Sequence, residues 1–492
     1  MSNREPIFQP WKASSSAAKP GLAGNHAVVI GGSMAGLLAA RVLSDRFQRV
    51  TLIERDRLTD TPQHRLGTPQ SQHLHVLLVK GEQIISKWFP QIAIELIQAG
   101  ATEVDATNDV LWFQEGGYKT RFHSGIRVLF MSRALLESRI RRRVLAIENL
   151  TCLAQQTVEG LVAKGDRITG LTLRQHTTDG QQNLSADLVI DATGRRSKSP
   201  QWLEALGYLR PSESVVKINL SYTTRVFQQT PHLLSHAKGI VIMHAPPDGT
   251  RGGVLCPIEG GRWIVTLIGW MGDQAPADEQ GFLDYAKSLT SPDIYNVISQ
   301  AKPLGEFAKY RLTSSLRRHY EKMTRFPEGY VVMGDALCSF NPVYGQGMSV
   351  SAMEAETLES CLKAAVHQNG LDRNGPDRNG SDQNSPDKNH LNGLAQDFFK
   401  RTAALLKDPW MMAVSEDFRF PETKGKKPLS SHLLNRYSTQ LHKLTQHDPV
   451  ATKAFFQVVN LMQPPTVLFS PDILFRVFGS TLSSRNKETK SS

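Results

Sequence analysis

His26 to Asp56 reads HAVVIGGSMAGLLAARVLSDRFQRVTLIERD. Val28, Val29 and Ile30 are a short apolar run of the kind a parallel sheet buries on both faces. Gly31, Gly32, Ser33 and Gly36 supply a turn, and Ala35 to Leu43 repeat apolar residues at helical spacing. Val50 to Ile53 make a second apolar run, closed by Glu54. Strand, glycine turn, helix, strand and acid in this order predict a dinucleotide-binding unit. Gly31 permits the tight turn. The helix start offers unpaired N–H groups and a positive dipole end to a pyrophosphate. Gly36 lets helix and strand pack closely, and Glu54 accepts from a ribose hydroxyl, with Arg55 beside it as a further candidate contact. Ser33 stands where the G-x-G-x-x-G pattern has its second glycine; it is small enough to keep the close backbone approach.

Around this unit the chain has 492 residues, enough for two domains and a large core. The net charge of +11 comes with no aromatic-interleaved basic stripe, so a solvated basic surface is expected rather than a nucleic-acid partner. Cys152, Cys256, Cys338 and Cys361 are scattered, which fits free thiols in a reducing cytoplasm and no metal site. His73 and His75 would share a face on a strand, but no third ligand is evident. No run of about 18 apolar residues occurs, so no transmembrane helix is expected. The apolar tail from Gln463 to Gly479 leaves peripheral membrane contact open beside ordinary packing.

Residues 1–24 read as a flexible leader. Short alternating runs over 108–131 and 216–305 predict an antiparallel sheet inserted into a nucleotide-binding domain assembled from 25–107, 132–215 and 306–365. A degenerate polar five-residue repeat (LDRNG, PDRNG, SDQNS) marks 366–392 as a disordered insertion. Residues 393–480 read as mainly helical and 481–492 as a flexible tail. Gly81 to Ala99 is expected to form one amphipathic helix, Leu316 to Glu321 to be helical or mixed, and Pro409 to Pro421 to be a connector. The fold class is α/β (α+β): a Rossmann-type domain, an inserted sheet and a helical C-terminal segment.

Two further glycine turns end apolar strands, Asp191-Ala192-Thr193-Gly194-Arg195-Arg196-Ser197 and Gly334-Asp335, the latter leading to the loop Phe340-Asn341-Pro342-Val343-Tyr344-Gly345-Gln346-Gly347. The order GGSMAG with Glu54, DATGRRS and GDALCSFNPVYGQGMS resembles the flavoprotein monooxygenases of the p-hydroxybenzoate hydroxylase fold, over most of residues 26 to 365. The resemblance implies FAD. It places Gly334 and Asp335 on the ribose or pyrophosphate, and Pro342, Gly345, Gln346, Gly347 and Met348 against the flavin ring at a helix start, where N–H groups stabilise negative charge. It also places Arg133 on the phosphates, and Arg65, Gly67 and the PQxxHxH segment near the isoalloxazine. Cys338 and Ser349 look like the epoxidising branch, similar to squalene monooxygenases and bacterial polyether epoxidases.

The middle motif departs from the family's D-G-x-x-S-x-x-R: Thr193 holds the Asp slot and Pro200 the Arg slot, with Asp191 two residues earlier. Asp191 and Gly194 remain nucleotide candidates. The departure leaves two electron sources open, NAD(P)H directly or a separate flavin reductase. The resemblance implies transfer of one oxygen atom from O2, through a flavin C4a-hydroperoxide, to a lipophilic alkene or aromatic. Trp263, Trp270 and Phe227 are candidates for a lid, though core packing suits each as well. The sequence offers no catalytic acid or base. The alternatives are an isoprenoid reductase, a non-redox cyclase, or a halogenase, whose WxWxIP string is not matched by WIVTLIGW at Trp263 to Trp270.

Overall fold

The computed structural model describes residues 22–59, 61–175, 180–371, 391–427 and 431–488. The leader up to residue 21 and the polar repeat at 372–390 lie outside them. A five-stranded parallel sheet holds the glycine turns. Its strand order is Tyr330–Val332, Leu188–Asp191, Gly24–Ile30, Phe47–Glu54 and Leu150–Ala154. Gly24–Ile30 is central, and Val28 and Val29 are fully buried, as an apolar run covered on both faces requires. Helices Met34–Ser44 and Gly347–Leu371 pack together over this sheet, so that the first and third glycine turns open on the same side.

An eight-stranded sheet stands beside it. Its order is Cys338–Ser339, Pro303–His319, Ser212–Gln228, Arg262–Gly269, Arg251–Ile258, Gly239–Ile242, Val110–Gln114 and Gly117–Tyr118. All its pairings are antiparallel except that of Gly239–Ile242 with Val110–Gln114. One face carries helices Glu279–Lys287 and Asp293–Ile298, packed on Phe227, Trp263 and Leu267. C-terminal helices Ser431–Leu444, Pro449–Val459 and Pro471–Glu488 form a small bundle against the other side. The α/β class expected from the sequence therefore holds, with helices in the C-terminal segment.

Several local expectations are corrected. Gly81 to Ala99 is two helices, Val79–Trp88 and Ile92–Gln98, because Pro90 and then Gln91 at φ +67° break the run. Leu316 to His319 is the end of the 17-residue strand Pro303–His319, so this part of 306–365 belongs to the large sheet. Its two arginines hid the strand pattern. Arg318 is buried there because it donates to the carbonyls of Ala336 (2.7 Å) and Arg195 (3.2 Å). Arg127–Phe130 pairs with Thr102–Asp105 in a separate ribbon instead of joining Val110–Gln114. Pro409 to Asp417 is helical, within Lys407–Asp417, and the last helix continues to Glu488. No helix among the described residues is long and apolar enough to cross a membrane.

Candidate active site

The first glycine turn is shaped by backbone contact. Gly31 has φ +103°, and a Cβ there would lie 2.6 Å from the Ala192 carbonyl oxygen. A Cβ on Gly36 would lie 1.7 Å from the Gly31 carbonyl oxygen, so helix and turn pack as closely as the motif demands. Glu54 lies across from the turn. Its Oε2 accepts from the Gly32 N–H and from Arg65 Nη1, both at 2.9 Å, and its Oε1 accepts from the Asp56 N–H at 2.9 Å. A carboxylate has about four lone-pair directions. Three are filled here, which leaves one for a hydroxyl.

A buried charge cluster supports this end. Glu137, on helix Arg133–Leu145, pairs with Arg65 and Arg141 and accepts from Ser33 Oγ at 2.8 Å. Burial pushes the Glu137 carboxyl up, but the charges of Arg133 and Arg65 and the hydrogen bonds from Ser33 and Arg65 outweigh it and hold it below the ordinary value. Ser132 caps this helix by accepting from the Leu135 N–H (3.1 Å). The cap fixes where Arg133 leaves the helix. Arg133 Nη2 donates to Ser33 Oγ (3.0 Å), and Nη1 lies 3.2 Å from His75 Nε2.

These elements border one continuous cleft of about 1230 Å³, above the roughly 300–1,000 Å³ usual for a small-molecule pocket. Gly31, Gly32, Ser33, Glu54, Arg55, Arg133, Gly194, Asp335, Pro342, Gly345, Gln346, Gly347 and Met348 all line it. Four of the residues singled out from the sequence do not. Gly36 is a packing residue behind the turn. Arg65 lies under Glu54 and Glu137 at the opposite end from the Pro342–Gly347 loop, because two buried carboxylates draw it there. Asp191 is fully buried below the middle turn, where it accepts from the Thr193 N–H and hydroxyl (2.9 and 2.6 Å), from Ser197 Oγ (2.5 Å) and from Ser199 Oγ. It shapes the turn from within. Gly334 faces Ala35, and its N–H donates to Glu354 Oε2 (2.5 Å).

His73 and His75 do not share a face. The segment is irregular, and His73 turns to Thr224 on the large sheet while His75 turns to Arg133. Val76 and Leu78 then pass beside Gly345. The ring-side loop is held from the C-terminal region, where Asp417 Oδ1 accepts from Asn341 Nδ2 (2.7 Å) and Tyr344 OH (3.3 Å). Cys338 and Ser349 are buried packing residues, Ser349 Oγ accepting from the Leu78 N–H (3.0 Å).

Another part of the cleft is an apolar chamber. Its walls come from the sheet (Val110, Trp112, Val241, Val254) and from Phe455 and Phe456 of helix Pro449–Val459. Trp112 meets both phenylalanines edge to face, at 5.9 and 5.3 Å between ring centres. Trp263, Trp270 and Phe227 are core residues outside this wall. The sequence signal was present in Val110–Gln114, since residues 110, 112 and 114 face the cleft while Leu111 and Phe113 face the opposite core. Nothing local ties Phe455 or Phe456 to that strand. Pro465, Leu468 and Phe469 of the tail also border the cleft.

The donor set fits a dinucleotide. The helix start at Gly347, the remaining acceptor direction on Glu54 and two buried polar atoms with no hydrogen-bond partner among the described residues (His73 Nε2, Gln346 Oε1) belong to residues that border the cleft, as does Arg133, whose Nε lies 3.7 Å from Glu137 Oε2. Comparison with known proteins agrees. Residues 25–378 match the family described as FAD binding domain. The chain belongs to that family. It is a flavin-dependent oxidoreductase. The protein Rv3254 of Mycobacterium tuberculosis is 35% identical over 350 residues, covering 69% of this chain and 73% of the relative. A kynurenine 3-monooxygenase of Salinispora tropica is 22% identical over 68% of this chain and 72% of its own. Among solved structures, the p-nitrophenol 4-monooxygenase PnpA from Pseudomonas putida superposes with a TM-score of 0.59 at 15% identity, over 89% of this chain and 99% of that one. The flavin-dependent brominase Bmp2 superposes with a TM-score of 0.61 at 12% identity, over 94% and 100%. The last two establish the shared fold.

Proposed function

We propose that this protein is an FAD-dependent monooxygenase that places one oxygen atom of O2 on a lipophilic alkene or aromatic, by epoxidation or hydroxylation. One observation carries the reading: a charged, backbone-lined trough runs without interruption into an apolar chamber. Electron transfer and activation of O2 are the chemistry FAD supplies there when bound. Gly31, Gly32, Ser33 and Arg133 hold the pyrophosphate, Glu54 the ribose, Asp335 the middle of the cofactor, and the loop from Pro342 to Gly347 the flavin ring. Trp112, Phe455 and Phe456 exclude water and orient an apolar substrate against the ring-side loop. Their apolar surfaces favour a hydrocarbon or aromatic body over a polar metabolite. The name of the Salinispora relative, a kynurenine 3-monooxygenase, supports this class, and Cys338 with Ser349 favours the epoxidising branch. The electron source is NAD(P)H or a separate flavin reductase.

The test is incubation under labelled O2 with lipophilic alkenes and alkylarenes, with each nicotinamide donor, with and without an added flavin reductase. One labelled oxygen per product molecule is expected. Product that has gained hydrogen, halogen or a ring without label would sink the reading.

A further inference from the structure

The chamber wall is not apolar throughout. Gln114 follows Trp112 on the cleft-facing side of strand Val110–Gln114, and His442 follows Ser438 by one turn on helix Ser431–Leu444; all four border the cleft. Gln114 and His442 are each 5% exposed, and they meet: Gln114 Nε2 lies 3.3 Å from His442 Nε2. The meeting is built into the scaffold. The Thr120 N–H donates to the Thr445 carbonyl (2.9 Å), and Gln446 Nε2 donates to the carbonyls of Gln114 and Glu115 (3.1 Å each). Strand and helix end are stitched together around the pair.

The direction of each hydrogen bond follows from one fixed donor. Trp112 Nε1 can only donate and lies 3.2 Å from Gln114 Oε1, which sets the amide. Gln114 Nε2 therefore donates to His442 Nε2, and the ring hydrogen sits on Nδ1. Nδ1 faces Lys119 Nζ at 3.4 Å, and Nζ lies 2.8 Å from Thr445 Oγ1, whose own hydrogen goes to the His442 carbonyl (2.6 Å). Lys119 thus accepts from one neighbour and donates to the other, as an uncharged amine does. Burial, with the Phe455 ring centre 4.1 Å from Nζ, lowers its pKa to about 7 against the raising fields of Glu416 and Glu115. Burial and the fields of Lys119, Arg419 and His244 keep the His442 ring neutral. Glu416, which also borders the cleft, is taken up by Arg419 Nη1 (3.1 Å) and Ser438 Oγ (3.0 Å). This corner of the chamber is polar, and its charges are paired or neutralised.

At 3.3 Å the Gln114–His442 contact is long for two buried groups, and a ligand oxygen can replace it. A hydroxyl satisfies both sides at once: its oxygen accepts from Gln114 Nε2, and its hydrogen goes to His442 Nε2. An ether or ketone does only the first. A carboxylate would meet the His442 lone pair and the charge of Glu416. We propose that Gln114 and His442 anchor the substrate, taking the hydroxyl of a lipophilic alcohol whose hydrocarbon body fills the chamber. Lys119 is a positioning residue, holding the imidazole in the tautomer that presents Nε2 as an acceptor. The proposal rests on the chamber as the place of a lipophilic substrate and adds the head group.

The test uses the FAD-loaded protein at pH 8 and four matched probes: citronellol, its methyl ether, citronellic acid and the hydrocarbon that lacks the oxygen. Binding is read from the perturbation of the flavin absorbance, and oxygen transfer from incorporation of labelled O2. Citronellol is expected to bind about tenfold or more tighter than the other three. Gln114→Leu and His442→Phe are each expected to bring citronellol to the level of its ether, while ether and hydrocarbon keep their wild-type affinity. A role in packing alone would weaken all four probes together and would overturn the proposal. Equal binding of citronellol and its ether by wild type, a preference for the acid, a preference that survives both variants, or no binding of any probe would overturn it too. If His442→Phe does not fold, Gln114→Leu decides. A preference for citronellol without labelled product would leave the anchor standing and remove the monooxygenase reading. Labelled product from ether and hydrocarbon, with no preference for the alcohol, would do the reverse.

Discussion

The trough and the chamber occupy one cleft but are built by different means. In the trough, shape comes from backbone turns and from buried charges that fix one another: Gly31 against Ala192, Gly36 against Gly31, and Glu137 against Arg65 and Arg141. In the chamber, shape comes from the ends of apolar side chains on separate elements, Trp112 from a sheet strand and Phe455 and Phe456 from a helix more than 300 residues later. Backbone geometry and paired charges tolerate little substitution. Apolar walls tolerate many substitutions of similar volume. The first arrangement holds one ligand, while the second can change its ligand without disturbing the fold.

The largest effect is therefore expected in the trough. Gly36→Val places a side chain 1.7 Å from a backbone oxygen that cannot move without opening the turn. A cost of about 3 kcal/mol or more is expected, with loss of bound FAD, read by chemical denaturation and flavin absorbance. Wild-type affinity for FAD in this variant would break the claim that backbone contact sets the trough.

Next comes Glu137→Ala, which leaves Arg141 without its carboxylate in a buried site and leaves Arg65 with Glu54 alone of its two buried carboxylates. Removing one member of a buried pair costs about 3–5 kcal/mol. Because the folded carboxyl is held below its ordinary value, its stabilising contribution is present above about pH 4.3 and is lost as pH falls below that through the folded value. The gap between wild type and Glu137→Ala should thus stay constant from pH 8 to pH 5 and close in stronger acid, as followed by urea unfolding across that range. A gap that widens in acid would contradict the pairing.

The same division explains how much of the cleft is legible in the sequence. The strand, turn, helix and acid of His26 to Glu54 are contiguous, so their spacing alone places Gly31, Ser33 and Glu54 on one edge. Asp191 was misplaced because a carboxylate after a strand looks alike whether it meets a ligand or ties down its own turn. The difference lies in Ser197 and Ser199, whose hydroxyls turn inward to it. Arg65 was misplaced because its partners, Glu54 and Glu137, come from different elements. The chamber was barely legible, since its walls meet only when the C-terminal helices close on the sheet.

Filling the chamber should separate the two regions. Val241→Trp projects a large apolar side chain into the chamber, away from Gly31 and Glu54. FAD retention and absorbance maxima are expected to match wild type, while turnover of a lipophilic substrate falls by roughly tenfold or more. Loss of FAD in this variant would show that the regions are not independent.

The smallest and sharpest effect concerns Asp417, which joins the two regions by holding Asn341 and Tyr344 of the ring-side loop. Burial raises its carboxyl to about 7, against the lowering effect of those two hydrogen bonds, and Oδ2 has no partner among the described residues. The folded chain thus binds this proton more tightly than the unfolded chain, whose aspartate titrates near 3.9. From that value up to about pH 7 the unfolded chain ionises first, and wild type loses stability as pH rises; above 7 the loss is complete. Asp417→Asn keeps an oxygen to accept from Asn341 and has no charge to bury. It should equal wild type near pH 4, gain on it steadily to pH 7, and run parallel above, as measured by urea midpoints at each pH. A variant weaker than wild type at pH 8 would mean that the charge itself holds the loop, which would tie the chamber to the trough by electrostatics instead of by replaceable contacts.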